Sequence, residues 1–555
     1  MNEEDSERLG ALLQALSSEQ LSALLGRRRF LSLHKLVAGG SAEEFSDLLI
    51  ARYAVALDGS RLLEKPALLA ALLKQIGTVA LESLANRHLP SPFAQDADNA
   101  LALASKSMRP GSSFARDISS ALGLSEFLLE AVESRPAVES IEPYEPLFPL
   151  LDYQTEVKQK CIALIASGAK DLLIQMPTGA GKTRTAMEVI VDLVERADIF
   201  KKGDSVIWLA HTEELCEQAI ESFISVWTTR GTSNAHVVRL WGGYSPPQDQ
   251  LGGGLIVAGT SRIHAMRSSN QAAFKELAER ATIVVVDEAH RALAPTVEAQ
   301  INSLRNSPTT LLIGLSATPA RRTGPSAENT ALARMFGNNL VAPELGADPI
   351  HELRQRGVLS ELERIELRYS DAKDLDESAG DSIANEEDDL PESVLTVLAA
   401  SVDRNIAIIE ALEKRVLSTG PAIVFCCSIY HAELLGAALR LRGIRAATVD
   451  CKMRRGLRRS VIHKFSSGDI DVLLNYGVLS TGFDAPNVQT VVIARPTRSM
   501  ILYSQMLGRG LRGPMMGGTK SCTLIDVRDH LGRFGELNSL YLQFKPYWTA
   551  APAYS

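Results

Sequence analysis

Residues 171–186 read DLLIQMPTGAGKTRTA. The stretch begins with an apolar run typical of a buried strand, passes through a glycine-rich loop and continues with helical spacing. Glycines let the backbone wrap closely around phosphates, and the N–H groups at a helix start point at them. Lys182 is suited to the β- and γ-phosphates, and the Thr183 hydroxyl to Mg²⁺, although Met176 stands where the strict pattern has glycine. The predicted phosphate contacts are Thr178, Gly179, Ala180, Gly181, Lys182 and Thr183.

A pair of carboxylates follows another strand-like run about a hundred residues later. The apolar residues Ile283–Val286 lead directly into Asp287-Glu288-Ala289-His290. Ligands of open α/β sheets bind at the carboxyl ends of the strands, so both carboxylates are expected near the phosphate loop. Asp287 is suited to hold Mg²⁺ through water, and Glu288 to orient and deprotonate the attacking water. The two motifs together predict a site that binds and hydrolyses a nucleoside triphosphate.

Short apolar runs alternate with helical segments around both motifs. Such alternation predicts parallel sheets covered by helices on both faces. The pattern begins near Leu150, is interrupted by an acidic segment and then resumes, which predicts an α/β protein with two tandem parallel-sheet domains. The strand-like runs are Leu172–Ile174, Val206–Leu209, Leu255–Val257, Ile283–Val286, Leu311–Ile313, Ala422–Phe425, Val472–Leu474, Val491–Ile493 and Thr523–Ile525.

The chain of 555 residues is too long for a single hydrophobic core. Its N-terminal part is rich in leucine and alanine at helical spacing and is broken by prolines, which predicts an all-α region. The predicted segments are a helical region at 1–145, a first domain at 146–345, a connector with the acidic segment at 346–400, a second domain at 401–545 and a tail at 546–555.

Charge is distributed unevenly along the chain. The formal net charge is −8, but residues Asp371–Glu392 hold ten acids and one base, so the remainder sums to +1. A near-neutral domain can still carry a local basic track for phosphates. A solvated loop is the preferred interpretation of the acidic run, with mimicry of nucleic acid as the alternative. The basic stretches Arg27–Arg29 and Lys452–Arg459 fit a nucleic-acid contact or, preferably, a charged helix.

Cysteine usage and hydropathy bear on the setting of the protein. The six cysteines include no C-x-x-C pair, so the sequence suggests neither a zinc site nor a disulfide framework. No run of about 18 apolar residues is present, and Met1–Leu9 is acidic and polar, unlike a signal peptide. We therefore expect a reducing, cytoplasmic setting without membrane contact.

The motifs together resemble those of superfamily 2 helicases. Asp287-Glu288-Ala289-His290 matches the DEAH form of motif II, and the glycine loop resembles motif I. Residues 315–319 are similar to motif III and residues 209–215 to motif Ia. The resemblance implies that His290, Ser316 and Thr318 couple nucleotide state to strand contact, and that Thr260 and Arg262 contact nucleic acid. It also implies that Gln154 reads adenine, although Tyr153-Gln154 equally fits a surface pair.

The second predicted domain contains the remaining motifs of that superfamily. Residues 422–426 resemble motif IV, residues 479–486 motif V and residues 505–512 motif VI. Arginines delivered from a second domain stabilise the negative charge of a phosphoryl-transfer transition state. Helical spacing is expected to bring Gln505, Gly508, Arg509 and Arg512 onto one face. The resemblance implies catalytic roles for Gln505, Arg509 and Arg512, nucleotide binding by Gly482 and Asp484, and nucleic-acid contact by Thr481.

The resemblance covers about residues 148–540 and is closest to the group of type III restriction subunits and XPB-like translocases. Residues 482–488 and 494–497 carry it, and Arg533-Phe534-Gly535 resembles the group's Arg-His-Gly with phenylalanine in place of histidine. It implies two RecA-like domains that use ATP and Mg²⁺ to move along nucleic acid, DNA rather than RNA.

Two functions follow from this resemblance. The first is an ATP-dependent helicase or translocase acting alone. The second is the motor subunit of a DNA-processing, restriction or phage-defence complex, in which residues 1–145 dock a protein partner. A nucleic-acid-binding or autoinhibitory role for residues 1–145 is equally open. A catalytically inactive scaffold is disfavoured, because every hydrolysis residue is present.

Overall fold

A helical module and two parallel-sheet domains make up the protein in the computed structural model. The structure describes residues 3–38, 46–93, 95–108, 111–125, 135–141, 149–247, 250–319, 327–346, 348–369, 390–479, 487–497 and 499–527. Within these ranges, no helix combines the length and the apolar character that crossing a bilayer requires.

The N-terminal module is built from eight described helices around a leucine-rich core. They are α1 (Glu3–Gln14), α2 (Ser18–Leu25), α3 (Arg27–Ala38), α4 (Asp47–Asp58), α5 (Pro66–Leu73), α6 (Thr78–His88), α7 (Asp96–Ala104) and α8 (Ser113–Leu122). Serine caps start several of them; the Ser17 hydroxyl, for example, accepts a hydrogen bond from the Gln20 backbone N–H. Asp5 accepts a 2.7 Å hydrogen bond from the Ser125 backbone N–H, which joins the first helix to the residues after the last.

The first α/β domain surrounds an eight-stranded sheet. Its strands are β1 (Val138–Ile141), β2 (Asp171–Gln175), β3 (Ser205–Ala210), β4 (Ala235–Leu240), β5 (Gly254–Gly259), β6 (Ala281–Asp287), β7 (Leu311–Ser316) and β8 (Leu340–Val341). The strand order is β1-β4-β5-β3-β6-β7-β2-β8, with β1 antiparallel to β4 and the other neighbours parallel. The central strands are apolar on both faces, as a sheet covered by helices on both sides requires.

Helices connect these strands and cover the sheet. They are α9 (Asp152–Ala166), α10 (Lys182–Ala197), α11 (Glu213–Arg230), α12 (Thr260–Ser269), α13 (Gln271–Glu279), α14 (Pro295–Leu304), α15 (Ala327–Met335) and α16 (Pro349–Gln355). The phosphate loop leads from β2 into α10, and the two carboxylates follow β6. Since β2 and β6 both pair with β7, the carboxyl ends of the two strands lie close together.

The second α/β domain has a six-stranded parallel sheet. Its strands are β9 (Glu361–Leu367), β10 (Ala422–Phe425), β11 (Ala446–Asp450), β12 (Val472–Tyr476), β13 (Thr490–Ile493) and β14 (Ser521–Val527). Their order is β11-β12-β10-β13-β14-β9. Its helices are α17 (Glu392–Ala400), α18 (Val402–Ser418), α19 (Ile429–Leu441), α20 (Arg455–Ser466) and α21 (Met500–Leu507). The prediction of two tandem parallel-sheet domains is confirmed.

The structure moves two of the predicted domain boundaries. Strand β1, inside the region expected to be all-α at 1–145, belongs to the first sheet. Strand β9, inside the predicted connector at 346–400, extends the second sheet, so that domain begins at Glu361 rather than at 401. Neither strand is a continuous apolar run: β1 reads VESI, and β9 reads ELERIEL. Most of the acidic segment, residues 370–389, lies outside the described residues.

The N-terminal module packs against the second domain. Helices α3 and α4 contact α19, and apolar residues of the module and that domain share one buried cluster. Arg440 on α19 is partly buried, and its Nε donates to the Ala56 carbonyl at 2.8 Å. Glu433 pairs with Arg61 at 2.8 Å and with Arg29 at 3.5 Å. Arg29 is thus part of a helix-end ion network, which supports the charged-helix interpretation of Arg27–Arg29.

Candidate nucleotide site

The phosphate loop has the conformation that its glycines predict. Gly179 and Gly181 have φ angles of 86° and 80°, a left-handed region that glycine adopts without strain. A β-carbon at Gly181 would overlap the Gln154 amide, and one at Gly179 would lie 3.2 Å from Leu359 Cδ2. The loop is therefore enclosed tightly at both glycines, and α10 begins at Lys182 as the loop ends.

Tyr153 and Gln154 are buried and hold the phosphate loop through hydrogen bonds to its backbone. The Tyr153 hydroxyl donates to the Ala180 carbonyl at 2.8 Å, and Gln154 Nε2 donates to the same oxygen at 3.2 Å. Gln154 Oε1 accepts from the Leu151 backbone N–H at 3.0 Å. The alternative of a surface pair is wrong, since both side chains are at most 3% exposed. Adenine contact by Gln154 stays a prediction, because both ends of its amide have protein partners here.

The two carboxylates lie beside the phosphate-loop lysine. Glu288 has a φ of 52°, a strained angle for a residue with a side chain, and its backbone N–H donates to Asp287 Oδ1 at 2.9 Å. Lys182 Nζ lies 3.7 Å from Glu288 Oε1. Burial raises the pKa of Asp287 to about 6, against the opposing charge of Lys182. Burial also acts to raise the pKa of Glu288, but nearby positive charges, Lys182 first, hold it below its ordinary value.

A buried polar chain leads from Glu288 to the end of β7. His290 Nδ1 lies 3.4 Å from both Glu288 Oε2 and Ser316 Oγ. Ser316 Oγ donates to the Thr318 carbonyl at 2.8 Å and accepts from its backbone N–H at 3.1 Å. The residues predicted to couple nucleotide state to strand contact are therefore brought together; the coupling itself stays a prediction.

The arginines of the second domain lie in and after a turn rather than in a helix. Helix α21 ends at Leu507, so the expectation of one helical face for residues 505–512 is wrong. The turn packs tightly at Gly510, where a β-carbon would overlap Cys522 of β14, so glycine is required there. Arg509 Nε donates to the Gln505 carbonyl at 3.2 Å, which ties the turn to the preceding helix.

One cavity of about 350 Å³ joins the motifs of both domains. The first domain contributes Thr178, Gly179, Gly181, Lys182, Thr183, Asp287 and Glu288; the second contributes Gln505, Gly508, Arg509 and Arg512. Four cationic residues line it, Lys182, Arg184, Arg509 and Arg512, which suits a triphosphate. The Thr183 hydroxyl and the Asp287 carboxylate suit Mg²⁺, which prefers oxygen ligands. The residue set therefore fits a magnesium nucleotide.

The connector between the domains holds the arginine turn, which the sequence patterns did not reveal. The Ser360 backbone N–H donates to the Leu511 carbonyl at 3.0 Å, and the Gly513 N–H donates to the Val358 carbonyl at 2.9 Å. Ser360 Oγ also contacts the Arg512 carbonyl at 2.5 Å. Residues 358–360 thus fix the backbone of the arginine segment. These are backbone pairings between distant segments, for which local sequence has no signal.

The predicted nucleic-acid residues are only partly described. Thr260 begins α12 at the carboxyl end of β5, and Arg262 Nη2 donates to Ser245 Oγ at 3.1 Å. Thr481, and the nucleotide-binding candidates Gly482 and Asp484, lie outside the described residues. The nucleic-acid roles of these residues stay predictions.

Two arginines of the basic stretch Lys452–Arg459 connect the domains instead of lining an open track. Arg458 Nε lies 3.0 Å from Glu214 Oε1 on α11. Arg459 Nη2 lies 4.0 Å from Glu217 Oε1 on the same helix. The sequence interpretation of an exposed charged helix is therefore wrong at these two positions, because acids of the other domain partner them.

Closure of the cavity requires glycine at position 508. A β-carbon there would overlap the Thr178 side chain across the domain boundary. We expect Gly508→Ala to oppose closure by about 1–3 kcal/mol, the usual cost of overpacking. The KM for ATP should rise accordingly in steady-state assays, while the melting temperature stays near that of the wild type. An unchanged KM would show that the domains need not approach so closely.

Two family matches cover most of the two α/β domains. Residues 147–321 match the type III restriction enzyme res subunit family, and residues 404–513 match the helicase conserved C-terminal domain. The yeast Saccharomyces cerevisiae protein named "Putative ATP-dependent helicase IRC3" is 25% identical over 392 residues, covering 68% of this chain and 51% of that protein. The EcoKI type I restriction endonuclease subunit of Escherichia coli is 24% identical over 403 residues, covering 65% and 33%.

A solved fragment of a "putative HsdR subunit of a type I restriction enzyme" from Vibrio vulnificus matches with a TM-score of 0.46 and 20% identity, covering 68% of this chain and 64% of that one. The chain spans about half the length of the yeast relative and a third of the EcoKI subunit. The two matched domains, in the order and with the motifs described above, identify the chain as a superfamily 2 helicase that resembles the restriction-subunit group.

Proposed function

We propose that the protein is an ATP-dependent helicase or translocase that moves along nucleic acid, DNA in preference to RNA. The observation that carries this proposal is the single cavity lined by Lys182 and Glu288 of one domain and by Arg509 and Arg512 of the other. A site assembled from two domains changes when they move, so the chemistry at the cavity and the movement of the domains are linked.

Each side chain around the cavity has a defined chemical task in this proposal. The loop N–H groups and Lys182 hold the β- and γ-phosphates. Thr183 and Asp287 would hold Mg²⁺, which supplies charge neutralisation when bound. Glu288 is kept ionised by its cationic neighbours, so it can accept a proton from the attacking water. Arg509 and Arg512 stabilise the charge that develops on the transferred phosphoryl group.

Movement follows from the different affinities of the open and closed states for ATP. A ligand shifts a conformational equilibrium only by binding one state better than the other. The γ-phosphate does so when it contacts both Lys182 and the arginine turn. The chain from Glu288 through His290 to Ser316 would transmit loss of that phosphate towards the strand-contacting residues. Thr260, Arg262 and Thr481 would contact mainly phosphate and sugar, so little sequence preference is expected.

The second candidate function is a motor subunit of a restriction or phage-defence complex. The N-terminal module favours it, since large apolar side chains are exposed there: Val79 is 83%, Leu101 55% and Phe93 53% exposed. The EcoKI relative is itself named as a subunit of a restriction enzyme. In this proposal the module, fixed to the second domain, docks a protein partner, and the protein acts in the cytoplasm.

The decisive experiment compares ATP hydrolysis across single- and double-stranded DNA and RNA, together with strand displacement, for the chain alone. Stimulation of hydrolysis by DNA, with displacement or movement, supports the first function. Stimulation that needs a protein encoded beside this one supports the second. No hydrolysis with any nucleic acid, with or without such a partner, would refute both.

A further inference from the structure

A short segment before the helicase domains is bound to the outer edge of the first sheet. This strap, residues 135–141, includes β1 and precedes the first family match, which begins at residue 147. It is fastened by Arg239 of β4, whose side chain is fully buried. Arg239 Nη1 donates to the Pro136 carbonyl at 3.0 Å and to Glu139 Oε2 at 2.9 Å. The strap is therefore a fixed part of the first domain.

Arg135 of the strap reaches helix α11 and holds two of its acids. Its Nη1 donates to Glu217 Oε2 at 3.0 Å, and its Nη2 donates to Glu221 Oε1 at 2.9 Å. Glu217 is 15% exposed, whereas Glu221 is 57% exposed and lines the nucleotide cavity. One guanidinium thus fixes two carboxylates one helical turn apart, a geometry that the planar fork of arginine favours.

The same Glu217 faces the other domain through its second oxygen. Glu217 Oε1 lies 3.5 Å from Arg239 Nε and 4.0 Å from Arg459 Nη2, which belongs to α20 of the second domain. This oxygen is buried and, within the part of the chain that is described, accepts no hydrogen bond. Of its two cationic neighbours, Arg239 belongs to the same domain, so Arg459 is the one whose distance depends on how far the domains have closed.

We propose that Arg135 is a positioning residue for domain closure: by holding Glu217 and Glu221, it orients Glu217 Oε1 towards Arg459. The inference rests on the proposed ATPase function and adds a control point outside the matched domains. When Arg135 is lost, Glu217 Oε2 loses its hydrogen-bond donor, and the carboxylate can turn away from Arg459 towards Arg239. Glu221 is then an unpaired carboxylate on a cavity that binds phosphates. Both changes disfavour the closed, ATP-bound state, while the hydrolytic residues stay in place.

The expected signature is a change in KM without a matching change in kcat. Arg135→Ala should raise the KM for ATP roughly threefold to tenfold, the range for one partly exposed ion pair plus an uncompensated charge, with kcat within about twofold of wild type. Arg135→Lys should recover only part of the loss, since an ammonium group can pair with one carboxylate but lacks the fork that holds both. Arg445→Ala is the matched control, because Arg445 pairs with Asp471 within the second domain. The KM of this variant for ATP should equal that of the wild type.

A double mutant separates positioning from simple packing. Arg459→Ala should raise KM by itself, and if Arg135 acts through Glu217 on Arg459, the double mutant should have a KM close to that of the worse single mutant. The proposal would be overturned if the KM increases of the two single mutants multiply in the double mutant. It would also be overturned if Arg135→Ala has the KM of the wild type. The rate of ATP hydrolysis by the wild type is measured in the same assay, and Glu288→Gln gives the background rate. An inactive wild type refutes the ATPase function itself, whereas an active wild type with an unaltered Arg135→Ala refutes only this inference.

Discussion

Replacing Glu288 by glutamine will lower the rate of ATP hydrolysis at least about a hundredfold, the lower range for loss of a general base. Glutamine keeps the size of the side chain but cannot accept the proton of the attacking water. The Glu288 carboxylate can accept that proton, since Lys182 lies 3.7 Å away and favours the ionised form. ATP binding should persist, because the phosphate loop does not depend on this carboxylate. Phosphate release and the affinity for a fluorescent nucleotide measure the two properties.

Glu279→Gln is a suitable control for that experiment. It removes an exposed carboxylate that pairs only weakly, at 3.7 Å, with Lys275 on α13 of the same domain. It should hydrolyse ATP at the wild-type rate. Retention of wild-type turnover by Glu288→Gln, together with normal ATP binding, would mean that another group takes the proton and that the catalytic assignment is wrong.

The parts predicted from sequence are those in which local pattern and structure coincide. The strand at Ile283–Val286 is apolar and β-branched throughout, and the structure extends it to Ala281–Asp287. The phosphate loop is defined by glycines at positions that need positive φ. Since motifs I and II both follow strands of the first sheet, their convergence could be predicted from the pattern, whereas the contribution of motif VI from the second domain was implied by the resemblance.

The parts that were missed depend on long-range pairing. Strand β4 contains Arg239, which looks polar in the sequence but is fully buried because Glu139 and Glu217 surround it. Strand β9 alternates charged and apolar residues, as an edge strand can. The pairing of Arg458 with Glu214 joins residues of different domains. The basic stretch alone gives no indication that its partner is another helix of the same chain rather than a phosphate.

Removal of the Arg509 guanidinium should be the other large effect. An arginine that stabilises the phosphoryl-transfer transition state contributes roughly a thousandfold or more to the rate, so Arg509→Ala should lose at least that factor in kcat. Arg509 lines the cavity, and its charge is among those that lower the pKa of Glu288, so its guanidinium acts near the hydrolytic end of the site. Arg509→Lys should recover little, since an ammonium lacks the planar fork. Single-turnover hydrolysis at saturating ATP measures the effect.

The same variant also tests whether the site forms within one chain. Glu288 comes from the first domain and Arg509 from the second, and the structure joins them in a single cavity of one chain. A mixture of Glu288→Gln and Arg509→Ala chains should therefore stay inactive, because neither chain holds both groups. Recovery of activity on mixing would require the second domain of one molecule to close on the first domain of another. In that case the contact between Gly508 and Thr178 would be one between subunits, and closure would depend on protein concentration.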